Sequence, residues 1–305
     1  MTLKIVIFTQ GKSRIVEHMF NNYSVSLLVN SRNSEPPLKS FLKSAVKSLF
    51  PTKIQRYCKD NNVQYFDYNG NNNDELLDMI NKLNPDVGIV FSMSQLIKQD
   101  VIDSFKYGIV NIHPSYLPSY RGPNPLFQYY KNMDEVGGVT LHFIDSAADT
   151  GNIISQEKFQ INKGDKSEDI LDRVIYEHSL AMIDKFLDNI SASIESAKVQ
   201  PSIGISYAPR ITRFELNSLV RKENMSAVEL WHLLRGTEQW FQVSKHPLSV
   251  LGFYWSVGYY SKNSNHARQH SNFEVFKRLG RYYIQYKEIS IELNTQWSIH
   301  KVFKK

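Results

Sequence analysis

The chain has 305 residues, 42% hydrophobic and 22% charged, the balance of a globular protein with one large and one smaller domain. Its single cysteine, Cys58, excludes an internal disulfide, and no apolar run approaches a membrane span, so we expect a cytoplasmic protein without a membrane partner. The net charge of +6 is concentrated after residue 206, where 15 Lys and Arg outnumber 7 Asp and Glu, which suits either an anionic partner or a solvent-facing surface.

The first part of the chain alternates between predicted strands and helices. Apolar runs at 3–8 and 25–29 predict buried parallel strands, and the helical spacing of apolar residues over 13–22 predicts a helix between them. The same criteria predict strands at 63–68, 86–92 and 107–114, and helices at 39–50, 51–60, 74–85 and 95–105. This order favours an α/β fold with an open, mostly parallel, Rossmann-like sheet.

Two more strands and a long helix precede a change of pattern at about residue 202. Strands are predicted at 139–144 and 152–161, followed by one long helix over 164–190 that Asp165 or Ser167 can cap. After residue 202 the sequence predicts a helix at 226–241 and several aromatic-rich strands. We therefore predict a larger domain over 1–190, a linker over 191–209 and a helix-plus-β domain over 210–305.

The stretch 109–151 holds the candidate site. Asn111 and His113 lie two residues apart at the carboxyl end of a predicted strand, so they share one face at the edge where open α/β sheets build their sites. A proline-rich loop follows, and Asp149 lies in a second loop that Gly151 allows to turn tightly. Each residue alone is compatible with a purely structural role, but their combination favours a site.

An amide, an imidazole and a carboxylate can together carry out acyl transfer to an amine. Asn111 can donate to the oxyanion that develops, and His113 can also stabilise it or accept the proton of the amine. Asp149 can orient His113, stabilise its charge or relay a proton. No covalent intermediate is needed, and no ligand cluster with plausible spacing is present, so no metal is expected.

These residues also carry a family resemblance. The matching motifs are Asn111-Ile112-His113-Pro114-Ser115, Leu117-Pro118-x-Tyr120-Arg121-Gly122 with Pro125, Gly138-Val139-Thr140 and Asp149-Thr150-Gly151. With their spacing, they resemble the folate-dependent formyltransferases over about residues 3–190. The resemblance implies an enzyme with 10-formyltetrahydrofolate as formyl donor and with Asn111, His113 and Asp149 as catalytic residues.

The resemblance also implies two sets of binding residues. The folate donor would lie against residues before the catalytic strand and before Asp149, namely Phe91, Ser92, Met93, Leu96, Ile144, Asp145, Ala147 and Ala148. The acceptor would contact the loop after His113, at Ser115, Tyr120, Arg121, Gly122 and Pro123.

Three amines compete as the acceptor. An amino-sugar nucleotide, linked to dTDP, UDP or GDP and used in surface polysaccharides such as the O-antigen of lipopolysaccharide, is favoured over initiator methionyl-tRNA. The segment 30–50 resembles a Lys-dotted helix, where the tRNA enzymes have a Gly-rich loop, and 235–241 lacks their Pro-Trp-Pro pattern. Glycinamide ribonucleotide is the least favoured, because its enzymes are shorter and typically have a different loop.

The C-terminal third leaves several roles open. Its aromatic residues could stack on a nucleotide base, form a core or form a homodimer interface, and they include Trp231, Trp240, Phe253, Tyr254, Trp255, Tyr259 and Tyr260. Two other functional classes are disfavoured by the sequence. A degenerate binding module is disfavoured by the retention of Asn111, His113 and Asp149 together, and a dinucleotide enzyme by the lack of G-x-G-x-x-G in the first βα turn.

Overall fold

The computed structural model describes residues 3–31, 51–93, 95–212, 225–238, 240, 246–262, 275–287 and 289–298. The helix predicted over 39–50 lies outside these residues. By contacts, the chain forms two compact units. The first comprises residues 1–125, 138–158 and 174–209, and the second comprises 126–137, 159–173 and 210–305. The predicted linker 191–209 thus groups with the first unit, and the domain limits of the sequence analysis stay a prediction.

A seven-stranded sheet contains the strands of the first two thirds of the chain. These are β1 (Ile5–Thr9), β2 (Val25–Ser31), β3 (Gln64–Tyr68), β4 (Val87–Phe91), β5 (Ile109–His113), β6 (Val136–Phe143) and β7 (Ile153–Gln160). Their order is β3-β2-β1-β4-β5-β6-β7. The pairs among β1 to β5 are parallel, and β6 runs antiparallel to β5. The predicted open, mostly parallel α/β sheet is therefore confirmed.

Helices follow most of these strands. They are α1 (Arg14–Asn22), α2 (Lys53–Asp60), α3 (Asn73–Leu83), α4 (Gln99–Ile102), α5 (Pro125–Asn132), α6 (Ser167–Ile170), α7 (Tyr176–Asp188) and α8 (Ile190–Ser196). Local sequence accounts for several of their starts: the side chain of Ser13 caps α1, and Thr52 and Gln55 form a capping box on α2. The central strands β1 and β4 are buried along their whole length, as expected for strands covered on both faces.

Two predicted helices differ from the structure. The helix predicted over 95–105 contains only α4, because the backbone at Lys98 is extended and the helix begins at Gln99. The single helix predicted over 164–190 starts at Ser167, since the Asp165 carboxylate accepts from the backbone of Asn162 and does not cap the helix. It is then interrupted by a π-helical turn at Leu171–Ile175 and ends at Asp188.

The C-terminal part of the second unit is a helix and an antiparallel sheet, as predicted. Helix α9 (Ala227–Gly236) begins with a capping box of Ser226 and Glu229. The strands β8 (Phe253–Lys262), β9 (Val275–Arg278), β10 (Arg281–Tyr286) and β11 (Ile289–Trp297) form a sheet in the order β8-β11-β10-β9. Trp231 and Trp255 belong to the hydrophobic core that α9 shares with these strands. Of the roles that the sequence analysis leaves open for the C-terminal aromatic residues, the core applies to these two.

No helix among the described residues is long and apolar enough to cross a membrane.

Candidate active site

The strand pair β5–β6 positions the candidate site within the first unit. Asn111 and His113 lie on β5, where Asn111 pairs with His142 and His113 pairs with Thr140 of β6. Asn111 is half-buried and His113 is buried. The sheet therefore delivers both side chains to the carboxyl edge of β5, as the two-residue spacing predicts.

The loop after β6 brings Asp149 to the same point. Its Oδ1 accepts from Asn111 Nδ2 at 3.2 Å and lies 3.6 Å from His113 Nδ1. Its Oδ2 accepts from the backbone N–H of Gly122 at 2.8 Å. The structure thus brings together the three residues that the sequence analysis predicts to be catalytic.

Electrostatics keep Asp149 ionised. Burial by itself raises the pKa of this carboxyl, but His113, His142 and the N–H of Gly122 outweigh it and lower the pKa to about 2. A carboxylate that remains charged at neutral pH can stabilise a positive charge on a neighbouring imidazole.

His113 is held with one nitrogen protonated. Its Nε2 lies 2.9 Å from the carbonyl oxygen of Tyr120, which can only accept, so Nε2 carries the proton in this contact. Burial lowers the pKa of His113, while Asp149 opposes this shift. His113 is therefore neutral at pH 7, and its Nδ1, which faces Asp149, is the atom that can accept a proton.

Two glycines explain why the loops can close on the site. Gly122 has φ +117°, and a Cβ there would lie 2.8 Å from the carbonyl oxygen of Ala208. A Cβ on Gly151 would lie 1.9 Å from the carbonyl oxygen of Phe143, so any side chain would push away the loop that carries Asp149. The glycines of both sequence motifs are thus explained by close backbone approach.

His142 is a site residue that the sequence analysis missed. Its Nε2 lies 3.1 Å from Asn111 Nδ2 and 3.6 Å from Asp149 Oδ1, and its Nδ1 lies 2.7 Å from the carbonyl oxygen of Phe143. Because that carbonyl accepts the Nδ1 proton, Nε2 is free to accept from Asn111. Alternation along 139–144 places His142 on one face with Thr140, but only the pairing of β5 with β6 puts it opposite Asn111.

The residues predicted to bind the donor lie at the ends of β4 and β6. Met93 and Ile144 both pack against the hydrophobic cluster that includes Val90 and Ile109. Phe91 is buried with its ring centroid 5.7 Å from that of Tyr176. The exposed members of this set are Ser92, Leu96, Ala147 and Ala148. Asp145 accepts from the backbone of Ala147 and the hydroxyl of Thr150, which stabilises the loop before Asp149.

The residues predicted to bind the acceptor form the loop beside His113. Tyr120 and Gly122 contact the site through their backbone, as described above, and Pro123 is exposed. Ser115 is fully buried and donates to the carbonyl of Ser119 at 2.6 Å, so its hydroxyl supports the loop from inside. The guanidinium of Arg121 donates to the side chain of Gln200. Direct binding by these residues and by the donor set stays a prediction.

Two further observations concern the single cysteine and the metal-ligating side chains. Cys58 is buried in α2, and burial raises the pKa of its thiol to about 11, which disfavours the reactive thiolate. Among the described residues, no three or more His, Cys, Asp and Glu side chains are grouped so that they could hold a metal ion.

Comparisons with known proteins identify the family and agree with the fold. Residues 4–185 match the sequence family described as Formyl transferase. The methionyl-tRNA formyltransferase of Borrelia hermsii is 33% identical over 169 residues, which are 53% of this chain and 54% of that protein. The chain therefore covers only about half the length of the curated relatives that it matches first.

Solved structures match nearly the whole chain. WlaRD, a sugar 3N-formyl transferase studied with dTDP and 5-N-formyl-THF, has a TM-score of 0.57 at 22% identity, over 97% of this chain and 98% of that one. An N-formyltransferase from Helicobacter canadensis, in complex with folinic acid and dTDP-3-aminofucose, has a TM-score of 0.57 at 19% identity, over 97% and 100%. At these identities the likeness shows the fold alone.

Proposed function

Since the chain belongs to the formyl transferase family, we propose that it is an enzyme that transfers a formyl group from 10-formyltetrahydrofolate to a primary amine. The observation that carries this proposal is the convergence of Asn111 and His113 on Asp149 Oδ1, at 3.2 and 3.6 Å. The folate ligands of the two sugar enzymes support the choice of donor. The residues around Met93 and Ile144 are the proposed donor site.

Each site residue has one role in the proposed mechanism. As the amine nitrogen attacks the formyl carbon, Asn111 Nδ2 exchanges its bond to Asp149 Oδ1 for one to the oxygen that becomes negative. His113 Nδ1 accepts the proton that the amine loses, and the Asp149 carboxylate stabilises the imidazolium. His113 then returns this proton to N10 of the folate as the bond from the formyl carbon to N10 breaks. The products are the formamide and tetrahydrofolate.

Initiator methionyl-tRNA is the acceptor with the stronger support. Curated relatives such as the Borrelia hermsii protein are methionyl-tRNA formyltransferases, and the 15 Lys and Arg after residue 206 would suit an RNA backbone. The sequence analysis favours the amino-sugar nucleotide, so the curated relatives weigh against that preference.

An amino-sugar nucleotide remains the second acceptor because of the architecture. The two sugar enzymes match this chain over both units and over nearly their own full lengths, whereas the tRNA enzyme from Borrelia hermsii matches about half of each chain. A competition experiment distinguishes the acceptors. The protein is incubated with the donor, charged initiator tRNA and a mixture of amino-sugar nucleotides, and mass spectrometry identifies the formylated product.

Formylated methionyl-tRNA is the result that the first proposal predicts. A formylated sugar nucleotide would instead reject methionyl-tRNA as the acceptor and support the amino-sugar nucleotide. Formylation of neither acceptor, with the donor consumed only in the presence of some other amine, would reject both acceptors and leave the reaction type standing.

We expect Asn111→Ala to lower kcat roughly 10²-fold, as removal of a single oxyanion donor does elsewhere. Because Asn111 also donates to Asp149 Oδ1, Asn111→Asp is a useful companion: it is similar in size but places a second carboxylate beside the first. Steady-state kinetics of both variants provide the measurement. An Asn111→Ala rate within a factor of three of wild type would contradict the assigned role.

We also expect His113 to titrate below its ordinary pKa of 6.5. Burial disfavours the imidazolium more than Asp149 favours it, so the neutral form persists to lower pH in the folded protein. NMR titration of the imidazole Cε1 protons measures this pKa, and the resonance missing from His113→Ala assigns it among the nine histidines. A pKa at or above 6.5 would contradict the neutral, proton-accepting His113.

A further inference from the structure

The segment 198–209, which follows the matched family region, contacts both loops of the candidate site. The backbone of Lys198 bonds to that of Ile153 in both directions, at 2.7 and 2.8 Å. Farther along, the carbonyl of Ser206 accepts from Arg121 N, and Ala208 N donates to the carbonyl of Arg121. We call residues 198–209 the strap. It is thus fixed at one end to β7 and at the other to the loop that follows His113.

Gln200 is the point where the strap contacts both loops through one side chain. Its Nε2 donates to the carbonyl oxygens of Asp149, at 2.9 Å, and Gly151, at 2.8 Å. Its Oε1 accepts from Nε and Nη2 of Arg121, at 3.1 and 2.7 Å. The side chain is 9% exposed and uses both its donors and both lone pairs. These four hydrogen bonds indicate that the Gln200 amide links the two loops.

We propose that Gln200 is a positioning residue that holds the Asp149 carboxylate against His113. This inference rests on the proposed function, because it assigns a role within the same site. Gln200 fixes the backbone on which Asp149 stands and, through Arg121, the backbone whose next residue, Gly122, donates to the Asp149 carboxylate at 2.8 Å. The backbone of Asp149 and the loop that binds its carboxylate are therefore both held by the Gln200 amide.

The left-handed backbone conformation of Asp149 explains why this link between the loops is needed. Asp149 has φ +55°, a left-handed conformation that costs a non-glycine residue energy unless its surroundings hold it in place. The two hydrogen bonds from Gln200 to the carbonyls of Asp149 and Gly151 hold this stretch of backbone in place. Release of the loop would change the 3.6 Å separation between Asp149 Oδ1 and His113 Nδ1.

The test compares Gln200→Leu and Gln200→Glu with the wild type. Leu removes every polar contact at similar size, whereas Glu keeps an acceptor for Arg121 but cannot donate to the two carbonyls. We expect both variants to lose on the order of 10²-fold in kcat, as small misplacements of catalytic groups do, while the KM values change less than about threefold. Ile203→Ala is the matched control, because Ile203 lies in the same strap and is 86% exposed.

A second readout does not need turnover. Asp149 and His142 are the charged and titratable neighbours that shift the pKa of His113, and of these Asp149 raises it. If Gln200 holds Asp149 close, the NMR-measured pKa of His113 should fall further in Gln200→Leu, which adds no charge, and stay at the wild-type value in Ile203→Ala. A folded variant with merely weakened packing would keep that pKa.

The two readouts separate failure of the inference from failure of the function. A wild type that formylates no amine, together with the fall in the His113 pKa, would reject the function and retain the positioning role. An active wild type whose Gln200 variants keep both kcat and the His113 pKa would overturn the inference. If Gln200→Leu does not fold, Gln200→Met, which also removes both donors and adds no charge, gives the same two measurements.

Discussion

His113→Ala is expected to lose at least about 10³-fold in kcat while the protein stays folded. The neighbouring imidazole of His142 cannot replace it, because its Nδ1 lies 2.7 Å from the carbonyl of Phe143 and its Nε2 lies 3.1 Å from Asn111 Nδ2. Removal of a positioned general base typically costs 10²–10⁴-fold, and here the same group also returns the proton to the leaving nitrogen. Single-turnover kinetics at saturating donor give the rate of the chemical step directly.

The control for this variant is His18→Ala. His18 also has a carboxylate partner, with Nε2 2.7 Å from Asp184 Oδ1, but it lies on α1 outside the site. Its removal should leave kcat within a factor of about two. A His113→Ala variant as active as His18→Ala would show that the imidazole of His113 takes no part in proton transfer.

Asp149→Asn is the second variant for which we expect a large loss, roughly 10³–10⁴-fold in kcat, by analogy with other carboxylates that orient a histidine. The pKa of about 2 means that Asp149 carries its charge throughout the neutral range, so the substitution removes a full negative charge beside His113. The Asn oxygen can still accept from Gly122 N, which should preserve the loop. The loss should therefore appear in kcat, and because the lowered pKa means that this charge also stabilises the folded protein, Tm at neutral pH should fall while the fold is retained.

Comparison with the double variant tests whether the two residues act together. Groups that act as one unit show strongly non-additive losses, so His113→Ala/Asp149→Asn should be about as slow as His113→Ala alone. Asp103→Asn, an exposed carboxylate at the end of α4, controls for the charge change. Multiplication of the two single losses would indicate separate roles and contradict the proposed imidazolium–carboxylate pair.

Much of the fold follows from local sequence patterns. Apolar runs such as Ile5–Thr9 and Val87–Phe91 become fully buried parallel strands because helices cover both faces of such a sheet. Helix interruptions are harder to predict. Periodicity alone indicates one helix over 164–190, but the π-helical turn at Leu171–Ile175 and the break after Asp188 depend on tertiary contacts that local patterns do not encode.

Some residues of the candidate site were likewise predictable from local sequence, and others were not. Asn111 and His113 were predictable together because a strand places residues i and i+2 on one face. His142 needed the antiparallel register of β6, and Gln200 needed the return of the strap across two loops, neither of which a single sequence reveals. The sequence analysis places Gln200 in a linker, and only its four hydrogen bonds reveal its connection to Asp149.

The central claim is amine-dependent formyl transfer by His113 and its neighbours, and one assay tests it most directly. Release of tetrahydrofolate from 10-formyltetrahydrofolate is followed by absorbance for the wild type and His113→Ala side by side, with charged initiator tRNA or amino-sugar nucleotides as acceptor. We predict release by the wild type that requires one of these acceptors and is nearly absent in His113→Ala. Wild-type release that is the same without an acceptor, or equal rates in the two proteins, would contradict the account.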